Sequence, residues 1–142
     1  MTAIREATHA PWIVLDETQH ERLSQLAAAA RDRAPEAATR LLAELDRAEV
    51  VSAGRLPANV VTIGSTVTFR DHDSERPRRV TLVYPAEADI AAGRISVLTP
   101  VGTALLGLST GQSIAWLGLD GHDRHLTVLA VTPPAPEPAA AA

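Results

Sequence analysis

The chain has 142 residues, a formal net charge of −4, 46% hydrophobic but only 3% aromatic residues, and no cysteine. The lack of cysteine excludes disulfides, thiolate zinc sites and a cysteine nucleophile, and the acidic balance argues against direct binding to nucleic acid, which needs a basic face. We therefore expect an aliphatic core, in one domain with an appendage or in two small units, and no nucleic-acid partner.

The two ends of the chain differ from the rest in composition. Residues 1–12 have no apolar periodicity and are expected to form a flexible arm. Residues 133–142 are mostly Pro and Ala, which cannot bury enough apolar surface to offset the entropy of ordering, so we expect a disordered tail. The first residues lack the apolar core of a signal peptide, and no apolar run approaches the ~18 residues that span a bilayer. We expect no membrane association and a cytoplasmic location.

Residues 13–52 have a helical pattern with one break. Asp16, with Gln19 three residues later, is a suitable N-cap for a first helix. Pro35 cannot lie inside that helix, but it suits the first position of a second one. Two amphipathic helices with so short a connection must bury their apolar faces against each other, which predicts a short antiparallel helical hairpin, a coiled coil. The two apolar faces are formed by Leu23, Leu26, Ala27 and Ala30 in the first helix and by Ala38, Leu41, Leu42, Leu45 and Ala48 in the second.

Residues 53–132 change to the alternating pattern of half-buried strands. The turns between the strands are short, which favours antiparallel pairing, and a single short helix would cover one face of the sheet. The sequence therefore predicts an α+β fold, in which the helical hairpin is followed by an antiparallel sheet domain with one short helix. The predicted strands are residues 65–70, 79–84, 95–98, 113–117 and 126–132, and the predicted helix is residues 100–106.

Residues 87–112, EADIAAGRISVLTPVGTALLGLSTGQ, form the most informative run in the chain. Thr99 can cap a helix whose first residue is Pro100, and Gly107 lies where such a helix would end. The same order of E-A-D, I-S-V, a Ser/Thr-Pro pair and a short helix ending in Leu-x-Gly occurs in the Gre transcript-cleavage factors of bacterial RNA polymerase. The run therefore resembles the C-terminal domain of those factors.

The short hairpin points to one branch of this group. The chain is similar to the Rnk family, the regulators of nucleoside diphosphate kinase, in which the hairpin is also shorter than in the Gre factors. The resemblance covers residues 13–131. It is carried by ELDRA at 44–48, VVT at 60–62, TLVYP at 81–85, PVG at 100–102 and ALLGL at 104–108.

The resemblance implies a fold, a partner and a binding surface. The C-terminal domain would be FKBP-like and would dock on the rim of the secondary channel of bacterial RNA polymerase, in competition with Gre factors. Any effect on nucleoside diphosphate kinase would lie downstream. The short hairpin, which buries its apolar faces internally, argues for a monomer. Gln112 stands where the family has Asp, so no charge is expected there. The residues that the resemblance assigns to polymerase binding are Asp89, Leu98, Thr99, Pro100 and Val101.

The tip of the hairpin differs from that of the Gre factors. Those factors place an Asp and a Glu three residues apart to hold a second Mg²⁺ for transcript cleavage. Here Asp32 and Glu36 are four apart across Pro35, and Arg31 and Arg33 would repel a cation. We predict no cleavage activity, no metal site, no cofactor and no catalytic residue. The alternative interpretation of the two acids is a solvated tip, with Glu36 favoured in the first helical turn.

Glu44, Asp46 and Glu49 form the densest acidic patch of the second helix. They are either a hydrated helix face or a contact for basic residues of the polymerase.

Two further functions stay open. An FKBP-like prolyl isomerase needs an aromatic-lined pocket, and Phe69, Tyr84 and Trp116 fall on three different strands, where they could as well be core residues. An adaptor that acts on a partner other than the polymerase is the second.

Overall fold

The computed structural model describes residues 11–72, 74, 76–117 and 121–134. Residues 1–10 and 135–142, which make up most of the expected arm and tail, lie outside this part. Within it the chain forms three α-helices, two short 3₁₀ turns and seven strands. The expected mixed α+β fold is therefore confirmed.

Two helices form the N-terminal part, each preceded or followed by a short strand. The order is β1 (Val14–Asp16), α1 (Glu17–Ala30), α2 (Pro35–Arg47) and β2 (Glu49–Val51). Asp16 caps α1, since its side chain accepts hydrogen bonds from the backbone nitrogens of Thr18 at 2.6 Å and Gln19 at 3.1 Å. Pro35 is the first residue of α2, where it gives up no intrahelical hydrogen bond.

The helices α1 and α2, called the helix pair below, bury their apolar faces. Four residues connect them, and His20 in the first turn of α1 lies beside the last turn of α2, with its Nε2 atom 3.0 Å from the carbonyl oxygen of Leu45. The strands β1 and β2 pair in parallel at the base, Leu15 opposite Val50. This small sheet corrects the sequence analysis, which assigned Val50 and Val51 to the helical region. The buried residues of the pair are Leu23, Ala27, Ala30, Ala38, Leu41 and Leu45.

A five-stranded sheet with the order β5-β4-β3-β7-β6 forms the second part. Three of its four strand pairs are antiparallel, but β4 and β5 are parallel. The expectation of an antiparallel sheet is wrong at this pair, because residues 84–93 carry the chain back until Arg94 lies beside Thr81. The strands are β3 (Thr66–Asp71), β4 (Pro77–Val83), β5 (Arg94–Ser96), β6 (Ser113–Leu117) and β7 (Asp123–Thr132), and the 3₁₀ turns are Pro85–Glu87 and Ile90–Ala92.

The third helix, α3 (Pro100–Leu105), packs on the sheet and joins the two parts of the molecule. It begins at the predicted residue and ends one residue early. The buried Thr103 hydroxyl donates to the carbonyl oxygen of Val97 at 2.6 Å. Buried residues of the helix pair, α3 and the sheet form one continuous core, which includes Ile13, Leu41, Val67, Leu105 and Val128.

Gly107, just after α3, allows the closest approach between the two parts. Its φ is +80°, and a Cβ atom there would lie 2.8 Å from the Cβ of Ile13. Its carbonyl oxygen accepts from the nitrogen of Val14 at 3.1 Å, and its nitrogen donates to the carbonyl oxygen of Val61 at 2.9 Å. Only glycine suits both the positive φ and the contact.

Gln112 strengthens the same junction. Its side-chain oxygen accepts from the nitrogen of Ser109 at 2.8 Å, and its side-chain nitrogen donates to the carbonyl oxygen of Trp12 at 3.0 Å. A carboxylate could make the first bond but not the second, because it has no proton to donate.

In the part of the chain that the structure describes, no helix is long and apolar enough to cross a membrane. The longest, α1, has 14 residues.

Candidate functional site

A cavity of about 510 Å³ opens on the sheet beside the first turn of α3. Such a volume lies within the usual range of ligand and docking pockets, roughly 300–1,000 Å³. Its walls combine apolar side chains with guanidinium groups. The apolar residues are Ile90, Ile95, Pro100, Val101 and Trp116, and the charged ones are Asp71, Arg78, Arg94 and Arg124.

The cavity exists because α3 is shorter than the strands beneath it. Six residues of helix are about 9 Å long, whereas the ten residues of β7 extend over roughly 33 Å. The helix therefore covers only part of the inner face. Val67 and Val80 are opposite each other and buried, whereas Arg78, opposite the next inward residue, Phe69, is exposed.

The turn at Thr99 and Pro100 is held by several hydrogen bonds. The Thr99 hydroxyl accepts from the nitrogen of Gly102 at 3.0 Å and donates to the carbonyl oxygen of Ser96 at 2.7 Å. Gly102 lies so close to Ser96 that an added Cβ atom would be 2.1 Å from that oxygen. From the helix pair, the Arg40 guanidinium donates to the carbonyl oxygen of Leu98 at 3.2 Å. The turn is thus fixed both to the sheet and to α2.

Three of the five residues expected to bind polymerase line the cavity: Thr99, Pro100 and Val101. The half-buried Leu98 packs against the core and does not line it. Asp89 does not line it either, and its side chain accepts from the nitrogen of Ala92 at 3.3 Å, capping the second 3₁₀ turn. No observation tests the role of these five residues in binding, which stays a prediction.

The acidic residues of the helix pair are spread out. Asp32 and Glu36 are exposed at the tip, and Asp46 is exposed near the other end. Glu49 is also exposed, but it begins β2 and does not lie on the second helix as the sequence predicted. Glu44 forms an ion pair with Arg47 at 2.8 Å. Among the described residues no three His, Asp or Glu side chains are grouped so as to hold a metal ion.

The sequence analysis missed the charged part of the cavity. Arg78 lies two residues before the buried Val80, and Arg124 lies two residues before the buried Leu126, so both occupy inward-facing positions of their strands. A charged residue in phase with core residues was the signal that could have identified them. Arg94 and Ile90 gave no such signal, because they lie around a turn.

The aromatic residues, all within the described part, are not gathered at the cavity. Phe69 is fully buried beneath Arg78, whose guanidinium carbon lies 5.6 Å from the ring centroid. Tyr84 is half-buried and packs against the core, Trp12 is exposed, and only Trp116 lines the cavity. This arrangement is not the aromatic-lined pocket that a prolyl isomerase needs.

Residues 56–133 match the family described as "Transcription elongation factor, GreA/GreB, C-term", and residues 11–51 match "Rnk N-terminus". The chain is 40% identical over 119 residues to the "Regulator of nucleoside diphosphate kinase" of Escherichia coli K12, covering 84% of this chain and 88% of that one. A shorter match, 39% over 71 residues, covers 50% of this chain and 45% of the transcription elongation factor GreA of Beijerinckia indica.

Among solved structures, the chain is similar to a transcription elongation factor GreA/GreB from Nitrosomonas europaea. The TM-score is 0.67 at 40% identity, and the match covers 84% of this chain and 98% of the other. The expected resemblance is confirmed by sequence and by structure. The chain belongs to the Rnk family of regulators, and its C-terminal part belongs to the GreA/GreB C-terminal domain family of transcription elongation factors.

Proposed function

We propose that this protein is a non-catalytic regulator of transcription that binds bacterial RNA polymerase. Its C-terminal part docks at the rim of the secondary channel, where it competes with Gre factors, and nucleoside diphosphate kinase responds downstream. The protein acts as a monomer in the cytoplasm, without direct contact to nucleic acid. Residues 13–52 act as the short helical hairpin and residues 53–132 as the FKBP-like docking domain.

The single observation that carries the proposal is the cavity beside the Thr99–Pro100 turn. It lies within residues 56–133, the part that matches the elongation-factor domain. Apolar residues line it. Ile90 at its side is 87% exposed, although burial of an isoleucine side chain is favourable in free energy. A cavity with exposed apolar walls and a rigid edge is suited to docking, because little ordering is needed on binding.

The charges at the tip of the helix pair support a non-catalytic role. Asp32 and Glu36 are exposed on either side of Pro35, and exposed Arg31 and Arg33 flank the first acid. A Mg²⁺ ion is held by carboxylates in strict octahedral geometry, and adjacent guanidinium groups lower its affinity by repulsion. This tip therefore favours contact with the polymerase over metal-assisted cleavage.

The proposal is tested by measuring binding of the purified protein to core RNA polymerase, with a Gre factor as competitor. We expect binding that the Gre factor displaces and that Pro100→Arg abolishes, because a guanidinium group would then project into the cavity edge. Pro57→Arg is the matched control, since Pro57 is exposed and does not line the cavity. An absence of wild-type binding would refute the proposal and favour an adaptor for another partner.

A further inference from the structure

We propose that the polymerase segment that enters the cavity carries a carboxylate flanked by apolar side chains, and that Arg78 and Arg94 recognise this carboxylate. The inference rests on the proposed function, because it takes the polymerase as the partner. It adds the chemistry of the contact and names two residues outside the Thr99–Pro100 turn.

The cavity is rich in positive charge. Three arginines and one aspartate are among the described residues that line it, a surplus of two positive charges, on a chain whose net charge is −4. Within the described residues, no carboxylate forms an ion pair with Arg78 or Arg94. A guanidinium group makes paired hydrogen bonds to a carboxylate, and among the described residues Arg78 and Arg94 have no such partner.

The register of the sheet gives the direction of Arg78. It lies opposite Phe69 in the β3–β4 pair, on the face that also buries Val80 and Leu82. Its neighbour Arg79 lies opposite Thr68, on the other face of the sheet, and does not line the cavity. Arg94 lies opposite Thr81 on that other face as well, but it belongs to the edge strand β5 and does line the cavity. The Phe69 ring beneath Arg78 supports the guanidinium at the cavity without neutralising its charge.

Apolar surface surrounds these charges. Ile90 is 87% exposed, and Ile95, Val101 and Trp116 are only half-buried. An occupant that covered the arginines alone would leave these side chains in water. The exposed Ile90 also extends the contact beyond the volume of a small anion. A polypeptide with an acidic residue between apolar ones satisfies both kinds of wall.

Nucleic acid fits the cavity less well than such a segment. A phosphate backbone needs a continuous basic track, whereas Asp71 is one of the cavity residues and the whole chain is acidic. The apolar residues would also remain without a complement. A carboxylate-bearing protein segment is therefore the occupant that the surface favours.

The test compares dissociation constants for core polymerase between the wild type and four variants. Arg78→Glu and Arg94→Glu should each weaken binding by about tenfold or more, because they place two carboxylates together in a partly dehydrated contact. Arg78→Lys retains the charge but loses the paired hydrogen bonds of the guanidinium group, so it should weaken binding, but by less than Arg78→Glu does. Arg79→Glu is the matched control on the opposite face and should stay within about threefold of the wild type.

The outcomes separate this inference from the function on which it rests. If the wild type does not bind polymerase, the proposed function fails. If the wild type binds and Pro100→Arg does not, but both charge reversals bind normally, the inference is overturned and the function stands. Should Arg78→Glu unfold, which circular dichroism would reveal, Arg94→Glu still decides, since the Arg94 side chain is exposed.

A second measurement identifies the contacted segment directly. A photo-crosslinking amino acid in place of Ile90 should capture a polymerase peptide that contains Asp or Glu beside apolar residues. A captured peptide without any acidic residue would overturn the inference, even with the charge-reversal effects in hand.

Discussion

The tip of the helix pair and the Thr99–Pro100 turn are both short connections that carry predicted functional residues, yet they are built differently. At the tip, Arg31, Asp32 and Arg33 are exposed, and Ala34 caps α2 without a side-chain hydrogen bond. At the turn, Thr99 bonds to both Ser96 and Gly102, with Arg40 holding the adjacent carbonyl group. Both places carry residues that the sequence resemblance singled out, but among the described residues only the turn is held by side-chain hydrogen bonds, whereas the tip is held by backbone bonds such as that from the nitrogen of Ala34 to the carbonyl oxygen of Ala30 at 2.8 Å.

The difference indicates which surface is prepared for recognition. A rigid surface loses little conformational entropy on binding, whereas an exposed loop must be ordered by its partner. The turn also forms the edge of the cavity. Among the described residues, no hydrogen bond or ion pair joins the tip to the sheet domain. Changes at the turn should therefore affect stability and binding, and changes at the tip should affect stability little.

The largest expected effect comes from Gly102→Ala. The added methyl group would lie 2.1 Å from the carbonyl oxygen of Ser96, so α3 must shift and the turn with it. We expect a loss of about 3 kcal/mol in the free energy of unfolding, measured by urea denaturation. A single glycine inserted between Asp32 and Arg33 should cost under about 1 kcal/mol in the same assay. Equal losses would remove the contrast between turn and tip.

A smaller effect is expected where the helix pair meets the sheet. Gly107→Ala combines a φ of +80° with a contact to Ile13, whereas Gly111→Ala has a φ of +92° but nothing within 4 Å. Gly111→Ala should cost about 1 kcal/mol for its backbone conformation, and Gly107→Ala roughly 2 kcal/mol or more. Thermal unfolding of both variants gives the difference in stability. Indistinguishable midpoints would mean that the Ile13 side chain moves aside without a measurable cost.

The smallest effect on stability is expected from single side chains at the turn and at the tip. Thr99→Ala removes the cap of α3 and should cost about 1 kcal/mol, whereas Thr99→Ser should restore most of it. For Asp32→Ala and Glu36→Ala, the free energy of unfolding should stay within about 0.5 kcal/mol of the wild type, since both residues are exposed and neither forms an ion pair among the described residues. Urea denaturation of the four variants tests this, and a tip variant that lost as much as Thr99→Ala would contradict it.

The features that could be predicted from the sequence are those that depend on neighbouring residues. Asp16 and Thr99 cap the helices that follow them, and Pro35 and Pro100 begin helices, because each acts within one turn of its own position. The β6 strand was predicted at its observed bounds, Ser113–Leu117, from alternation alone.

The features that could not be predicted depend on distant parts of the chain. The pairing of Leu15 with Val50 joins strands of three residues each, too short for periodicity to indicate. The direction of β5 depends on the path of residues 84–93. The cavity depends on cross-strand register and on the length of α3, so Arg78 and Arg124 line the same cavity only once the sheet is formed.

The parallel pairing of β1 with β2 ties the two ends of the helix pair together at its base. Turns added to both helices in equal number would move the tip outward, by about 5 Å for each turn, without altering either strand or the sheet domain. The length of the helix pair can therefore be changed independently of the sheet domain. Longer helices grafted above the β1–β2 pair would give a series of variants that differ only in the length of the helix pair.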